Sequence, residues 1–398
     1  MSIKIWLLSL VSKSMVKIKF LIWVLIITFI GSPSFAQNYS VTNLVELPLP
    51  PYSVASEANG DIWVSGSRLE SKYGPSSIFK YSKEFDPNCG ISLATEEKLL
   101  LFTIVKEPLS RSILLEGSIG DGSWLGKIDR DCNITFQKTF SEQKGTFIGN
   151  VTTLSNGEII WITRIKPHDK NVPKAVAFKL SSTGEQLTKK TFNHDFRSNS
   201  IIQHGSNLWL SDRNEVIKLN QDLAKLGSFK LSGEILDMAS LGHEGVVIAL
   251  AVRKNGEFIK RIVKVNSSGQ VLTYQDTDLF SKYLPLSTFL LVGKDKSIHL
   301  IGSGESYLIG SGESNTNGSN ILRYSSQLEP ISRFNIKYNN LTISPADAVM
   351  EDSGDILLTG YTTSEISGEA FYAMKITPSP NNSTEPADII TTSDLFIE

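Results

Sequence analysis

Seven times between Ser77 and Thr377 the sequence returns to one short pattern: an apolar residue, any residue, Lys or Arg, then usually an apolar residue again. The copies are SIFKYS, WLGKID, VAFKLS, EVIKLN, RIVKVN, NILRYS and FYAMKIT, with basic residues Lys80, Lys127, Lys179, Lys218, Lys264, Arg323 and Lys375. They recur every 40 to 60 residues or so, the spacing of a supersecondary unit too small to bury its own apolar face. A chain built this way must stack its units on one another.

What precedes each copy shows what the unit is. Gly60-Asp61 opens DIWVSGS, Gly157-Glu158 opens EIIWITR, Gly354-Asp355 opens DILLTGY, and SILLEGS, NLWLSD, VVIALAV and SIHLIGS hold the equivalent places. These are short, β-branched or aromatic runs behind turn residues that accept positive φ. Most copies of the basic motif then pass through a polar turn such as SSTG or NSSG into a further strand. No stretch keeps a 3.6-residue apolar period over three turns, so helix is not expected. Four short antiparallel strands at this period predict an all-β chain, a seven-bladed β-propeller of four-stranded antiparallel blades. The last unit lacks a fourth strand, and NYSVTNLVELPL near the N-terminus is a strand without a unit. An open sheet edge invites aggregation. The N-terminal strand is therefore expected to complete blade 7 and close the ring.

The segments GDILLTGYTTSEISGEAFYAMKI and GDIWVSGSRLESKYGPSSIFKYS resemble the short repeats of secreted bacterial seven-bladed β-propeller proteins, with their Gly-Asp turn, "VTGYT"-like strand and "AxxxKL" strand. The likeness is loose over all seven units and closer in blades 1, 3 and 7. It implies a fold and an export route; such repeats serve many roles, so it implies no ligand. NLWLSDRNEVIKL is faintly similar to the repeats of virginiamycin B-type lyases, whose catalytic residues find no match here.

The N-terminus reads as a leader. Lys13, Lys17 and Lys19 precede the apolar run Phe20 to Ile30, and Ser34-Phe35-Ala36 offers a peptidase site. Cleavage is expected after Ala36, with Met1 or Met15 as the start. The apolar run is shorter than the roughly 20 residues of a spanning helix. The expected organisation is a signal peptide 1–36, a propeller 37–377 and an acidic Pro- and Ser/Thr-rich tail 378–398. The expected place is the periplasm or the extracellular space, and the expected state a monomer without a transmembrane helix after cleavage. Net charge is −2 for the whole chain, and the leader holds only bases, so the remainder is more acidic. That excludes a basic nucleic-acid footprint.

HLIGSGES, from His299, is followed at once by YLIGSGES. A phosphate-binding Gly loop needs a following helix, and none is expected. The second copy reads as a tandem duplication lengthening the loop between strands two and three, which costs little closure entropy.

Four arginines stand near the exit of strand two: Arg68, Arg164, Arg213 and Arg253. Loops leaving strand two share one face of a propeller, so these side chains and His168 are candidates for an anion- or glycan-binding rim, against the plainer reading of a solvated charged rim. The seven repeated basic residues are expected to be structural, their stems between blades and their charged heads in water; replacing one by Met is expected to be tolerated. His299 takes the strand position of Trp63 and Trp209, so it is expected to be packed. The histidines have no ligand spacing, and no catalytic motif, metal site or cofactor is expected. Cys89 and Cys132 occupy turns of adjacent blades at unequal offsets, and export permits a disulfide; the spacing leaves the bond open. The functional expectation is a binding or interaction module for a protein or glycan ligand. The alternative is a hydrolase or lyase working at the central channel.

Overall fold

The computed structural model describes residues 38–67, 76–93, 99–140, 146–165, 174–192, 200–281, 288–303, 319–338, 341–364 and 368–379. The chain divides into Met1–Ala36 and Gln37–Glu398, and every described residue belongs to the second unit. The leader, the tail beyond Ser379 and the second copy of the duplicated octapeptide lie outside the described residues.

Seven antiparallel sheets follow one another along the chain. Blade 1 comprises Pro51–Ser56, Ile62–Ser67, Ser76–Tyr81 and Pro87–Leu93; blade 2, Leu99–Lys106, Ile113–Ile119, Gly122–Ile128 and Ile134–Phe140; blade 3, Thr146–Thr153, Ile159–Ile165, Lys174–Leu180 and Gln186–Phe192. Blade 4 comprises Ile201–His204, Asn207–Asp212, Glu215–Leu219 and Lys225–Lys230; blade 5, Glu234–Ser240, Val246–Lys254, Glu257–Val265 and Val271–Ser281. Blade 6 comprises Thr288–Val292, Ile298–Ser303, Ser319–Tyr324 and Pro330–Tyr338, with a two-residue strand, Leu341–Thr342, added at its edge. Blade 7 comprises Ser344–Met350, Ile356–Ser364 and Gly368–Ser379, and its fourth strand is Asn38–Leu47. The molecule is a seven-bladed β-propeller closed by the N-terminal strand. Its last strand runs to Ser379, paired with Asn38, two residues past the expected end of the propeller at 377. Among the described residues the one helical element is the 3₁₀ turn Gly242–Glu244.

There is no single core. Each blade junction has its own apolar cluster: Val54, Ile62 and Leu357 between blades 7 and 1; Trp63, Leu99 and Ile113 between 1 and 2; Leu114, Val151 and Trp161 between 2 and 3. Ile160 and Leu208 pack between 3 and 4, Trp209 and Ile248 between 4 and 5, Val247 and Leu300 between 5 and 6, and Tyr39, Ile301 and Leu358 between 6 and 7. Strands two and three are buried on both faces, which is why they read as near-continuous apolar runs.

The repeated basic residues sit opposite one position of strand two: Trp63 with Lys80, Leu114 with Lys127, Trp209 with Lys218, His299 with Arg323, Leu357 with Lys375. Their charged heads do not reach for water as expected. Lys80 pairs with Glu57 at 3.1 Å and Asp61 at 3.2 Å, and donates to the Arg130 carbonyl of the next blade at 2.9 Å. Lys127 pairs with Glu107 at 2.8 Å and donates to Ser182 O of blade 3 at 2.9 Å. Lys264 pairs with Glu244 at 3.3 Å and donates to Ser326 O of blade 6 at 2.9 Å. Each side chain thus ties the turn between strands one and two of its own blade to the outer hairpin of the next. The acids come from turns, where the third-strand pattern does not show them. Lys80 and Lys264 are only 6% and 4% exposed, so a methionine there would strand a buried carboxylate.

The outer hairpins repeat as well. Their left-handed position is glycine in blades 3 and 5, Gly184 at φ 85° and Gly269 at φ 94°, and Phe85, Cys132, Leu223 or Leu328 elsewhere. Where it is glycine, an aromatic ring from the preceding blade fills the space: a Cβ on Gly269 would lie 2.4 Å from Phe229. Cys132 occupies this position in blade 2 and is joined in a disulfide to Cys89 of blade 1, with Cα atoms 6.7 Å apart. Cys89 pairs directly with Lys80 across its ladder. The bond and the Lys80 clamp therefore fasten the same hairpin.

Candidate functional site

The two faces of the ring differ. On one, strands one and two are joined by short turns closed by paired backbone hydrogen bonds, such as Glu57 N to Asp61 O and Gly60 N to Glu57 O. The clamps lie on this face. On the other, strand two leads to strand three, and each blade leads to the next. There the connections vary from the two residues between Asp212 and Glu215 in blade 4 to the stretch carrying the duplicated octapeptide in blade 6.

Near this loop face the innermost strands share a further feature. Blade 1 skips a residue between Pro51 and Ser53, blade 2 between Leu101 and Thr103, blade 5 between Ile235 and Asp237, blade 7 between Pro345 and Asp347, and blade 3 between Phe147 and Asn150. A bulge re-aims side chains and bends its strand. Tyr52, Phe102, Leu236 and Ala346 are the bulged residues, and all four are half-buried. Both flanks of an inner strand are covered by neighbouring blades, so this exposure is toward the central channel and its mouth. Tyr52 and Phe102 meet edge to face, 6.1 Å between ring centres.

In blades 1, 5 and 7 the residue after the bulge sews its blade to the next. Asp347 Oδ2 accepts from Val54 N at 2.9 Å and from Ser53 Oγ at 2.5 Å, blade 7 to blade 1. Ser53 Oγ accepts from Ile104 N at 3.0 Å, blade 1 to blade 2. Asp237 Oδ2 accepts from Leu290 N at 2.8 Å, blade 5 to blade 6. Between blades 2 and 3, Glu116 Oε1 accepts from Gly149 N at 2.9 Å. Burial pushes Asp237 and Asp347 up to about 6, against the backbone hydrogen bonds that favour their charged form, and pushes Glu116 up to about 8. Asp237 is raised further by the charge of Asp347. Carboxyl groups displaced in this way can hold or exchange protons near neutral pH.

The rim arginines are placed as follows. Arg164 lies at the loop-face end of strand two in blade 3, paired with Phe147 beside the bulge. Arg213 is exposed at φ 53° in the tight turn of blade 4, and its carbonyl accepts from Ile235 N of blade 5 at 2.6 Å. Arg253 is exposed in blade 5, 5.9 Å from the Phe258 ring. Arg68 and His168 lie outside the described residues. Blades 4 and 5 thus present Arg213 and Arg253 on the same face. Sequence reasoning missed Tyr52, Phe102, Asp237 and Asp347, because a bulge interrupts the alternation that marks a strand.

His299 is packed: it is 2% exposed and held between Tyr39 Oη and Ser297 Oγ, each at 2.8 Å. Among the described residues no group of three or more His, Cys, Asp or Glu is placed to hold a metal, and no helix is long and apolar enough to cross a membrane.

No protein-family model matches the chain, and no curated protein matches it. Among solved structures, the WD40 domain of Neurospora crassa Pan2 is similar over 87% of this chain and 97% of its own, at 9% identity and a TM-score of 0.55. A protein of unknown function from Bacteroides caccae is similar over 70% of this chain and 96% of its own, at 14% identity and a TM-score of 0.46. At such identities the likeness to the WD40 domain is one of fold: the chain is a β-propeller, and the fold by itself assigns no role.

Proposed function

We propose that this chain is an exported binding module, of the kind found among secreted bacterial propeller repeat proteins, that takes its ligand on the loop face at the mouth of the central channel. The observation that carries the reading is the contrast between the faces. On the clamp face the polar side chains are spent on blade-to-blade contacts, whereas the loop face combines connections of unequal length, half-buried Tyr52 and Phe102, and exposed Arg213 and Arg253. Variable loops on a rigid scaffold are where binding residues collect. Arginine forks suit carboxylate, sulfate or phosphate groups, so the ligand class is an anionic one, an acidic glycan first. Thermal unfolding of residues 37–398 with acidic and neutral glycans tests this. A ligand at about 100 times its dissociation constant adds about 2.7 kcal/mol. The reading expects a rise with acidic glycans that disappears in Arg213→Ala/Arg253→Ala; a rise the double variant retains contradicts it.

One observation favours a second reading, a hydrolase or lyase at the channel. Asp237 and Asp347 are two carboxylates with raised proton affinity on the channel-lining strands, and paired carboxylates serve acid–base chemistry. Their oxygens already accept backbone amides, which suits a structural part better. Glycan turnover abolished by Asp347→Asn in a chain of unchanged stability would favour the enzyme.

A further inference from the structure

We infer that the ring is proton-linked: Asp237 and Asp347 each hold the inner strand of the following blade, and their charge state sets how firmly the blade 5–6 and blade 7–1 seams close around the channel mouth. The consequence for ligand rests on the binding reading above; the consequence for the seams does not.

The geometry differs from that of the clamps that carry a carboxylate. Glu57, Glu107 and Glu351 each face a lysine ammonium, at 3.1, 2.8 and 2.9 Å. The groups acting on Asp347 are Ser53 Oγ and the amides of Val54 and Ala348; those acting on Asp237 are the amides of Leu290 and Met238, the Ser200 hydroxyl, and Asp347 itself. Among the described residues no basic side chain is one of them. Two like charges therefore share one channel, screened by whatever water enters it and by amide dipoles. Both residues stand directly after a bulge, so they anchor Tyr52 through Ser53 and Leu236 through the chain itself. A change in either charge acts on the wall of the proposed site.

The sign follows from where the proton sits. A carboxyl raised from 3.8 to about 6 on folding contributes stability at low pH that is lost as pH rises through about 6. His204 and His299, lowered by burial, act in the opposite sense over an overlapping window, and Glu116 acts in the same sense at higher pH. The seams are therefore read as the difference between wild type and a variant that cannot titrate.

The test is carbon-detected NMR titration of the Asp carboxyls in residues 37–398, with denaturant unfolding of wild type, Asp237→Asn and Asp347→Asn at pH 5, 6 and 7.5. The expected result is that both carboxyls titrate near 6 and that Asp347→Asn moves the Asp237 midpoint down, because the Asp347 charge raises Asp237. Relative to each variant, the wild-type folding constant should fall about tenfold or more between pH 5 and 7.5. Midpoints near 4, an Asp237 midpoint indifferent to Asp347→Asn, or a flat difference would each overturn the inference. If a variant does not fold, the wild-type titration alone decides. If no glycan binds at any pH, the binding reading fails while the titration still decides the seams.

Discussion

The hydroxyl of Tyr39 meets Nδ1 of His299 at 2.8 Å across 260 residues of chain. Tyr39 lies on the strand that completes blade 7, and His299 on strand two of blade 6, opposite Arg323. In blades 1 to 5 a basic residue reaches the covalent outer hairpin of the next blade. Blade 7 has no such hairpin, because its third and fourth strands come from opposite ends of the chain. The buried tyrosine takes up the task, with His299 fixed from its other side by Ser297.

Tyr39→Phe keeps the ring and removes the hydroxyl, leaving a buried imidazole nitrogen without its partner. Denaturant unfolding should show a loss of about 1–2 kcal/mol. His299 is held neutral, pulled down to about 4 chiefly by burial and secondly by the Arg323 charge. The unfolded chain takes up this proton at higher pH than the folded one, so wild type should lose stability relative to His299→Gln as pH falls from about 6.5 toward 4.

The clamps should not be equivalent. Lys80→Met leaves buried Glu57 beside an apolar chain, and unfolding should reveal a cost of about 3 kcal/mol. Lys218 donates to the carbonyls of Ser267 and Ser268, at 3.2 Å each, beside the Trp209 ring. With no carboxylate to strand, Lys218→Met should cost about 1 kcal/mol. Adding Glu57→Leu to Lys80→Met should recover part of its loss.

The disulfide closes a loop of 43 residues. In the chain-entropy account, Cys89→Ala/Cys132→Ala should destabilise by about 3–4 kcal/mol. Intact mass without reductant should show no free thiol, and reductant should lower the wild-type midpoint but not that of the variant.

The repeat was legible because both flanks of strands two and three are buried, which leaves apolar runs with one basic residue at a set place. The closing strand was legible because NYSVTNLVELPL had no other partner. The direction of the lysine heads was misread, although Glu57, Glu107, Glu158, Glu244, Asp295 and Glu351 all lie in the turn before strand two and carry a signal. The Tyr39–His299 bond and the carboxylates after the bulges depend on contacts between distant segments, which no local pattern encodes. Arg213 and Arg253 were legible by their place at the exit of strand two.

The most direct test of the account is a hydrogen-exchange footprint of residues 37–398 with and without the acidic glycan that raises the unfolding midpoint most. The account predicts slowed exchange at the start of the inner strands, around Tyr52, Phe102 and Leu236, and around Arg213 and Arg253, with the outer hairpins Ser82–Asp86 and Asp129–Asn133 unchanged. Slowed exchange at those hairpins with an unaltered loop face would place the ligand on the clamp face and contradict it.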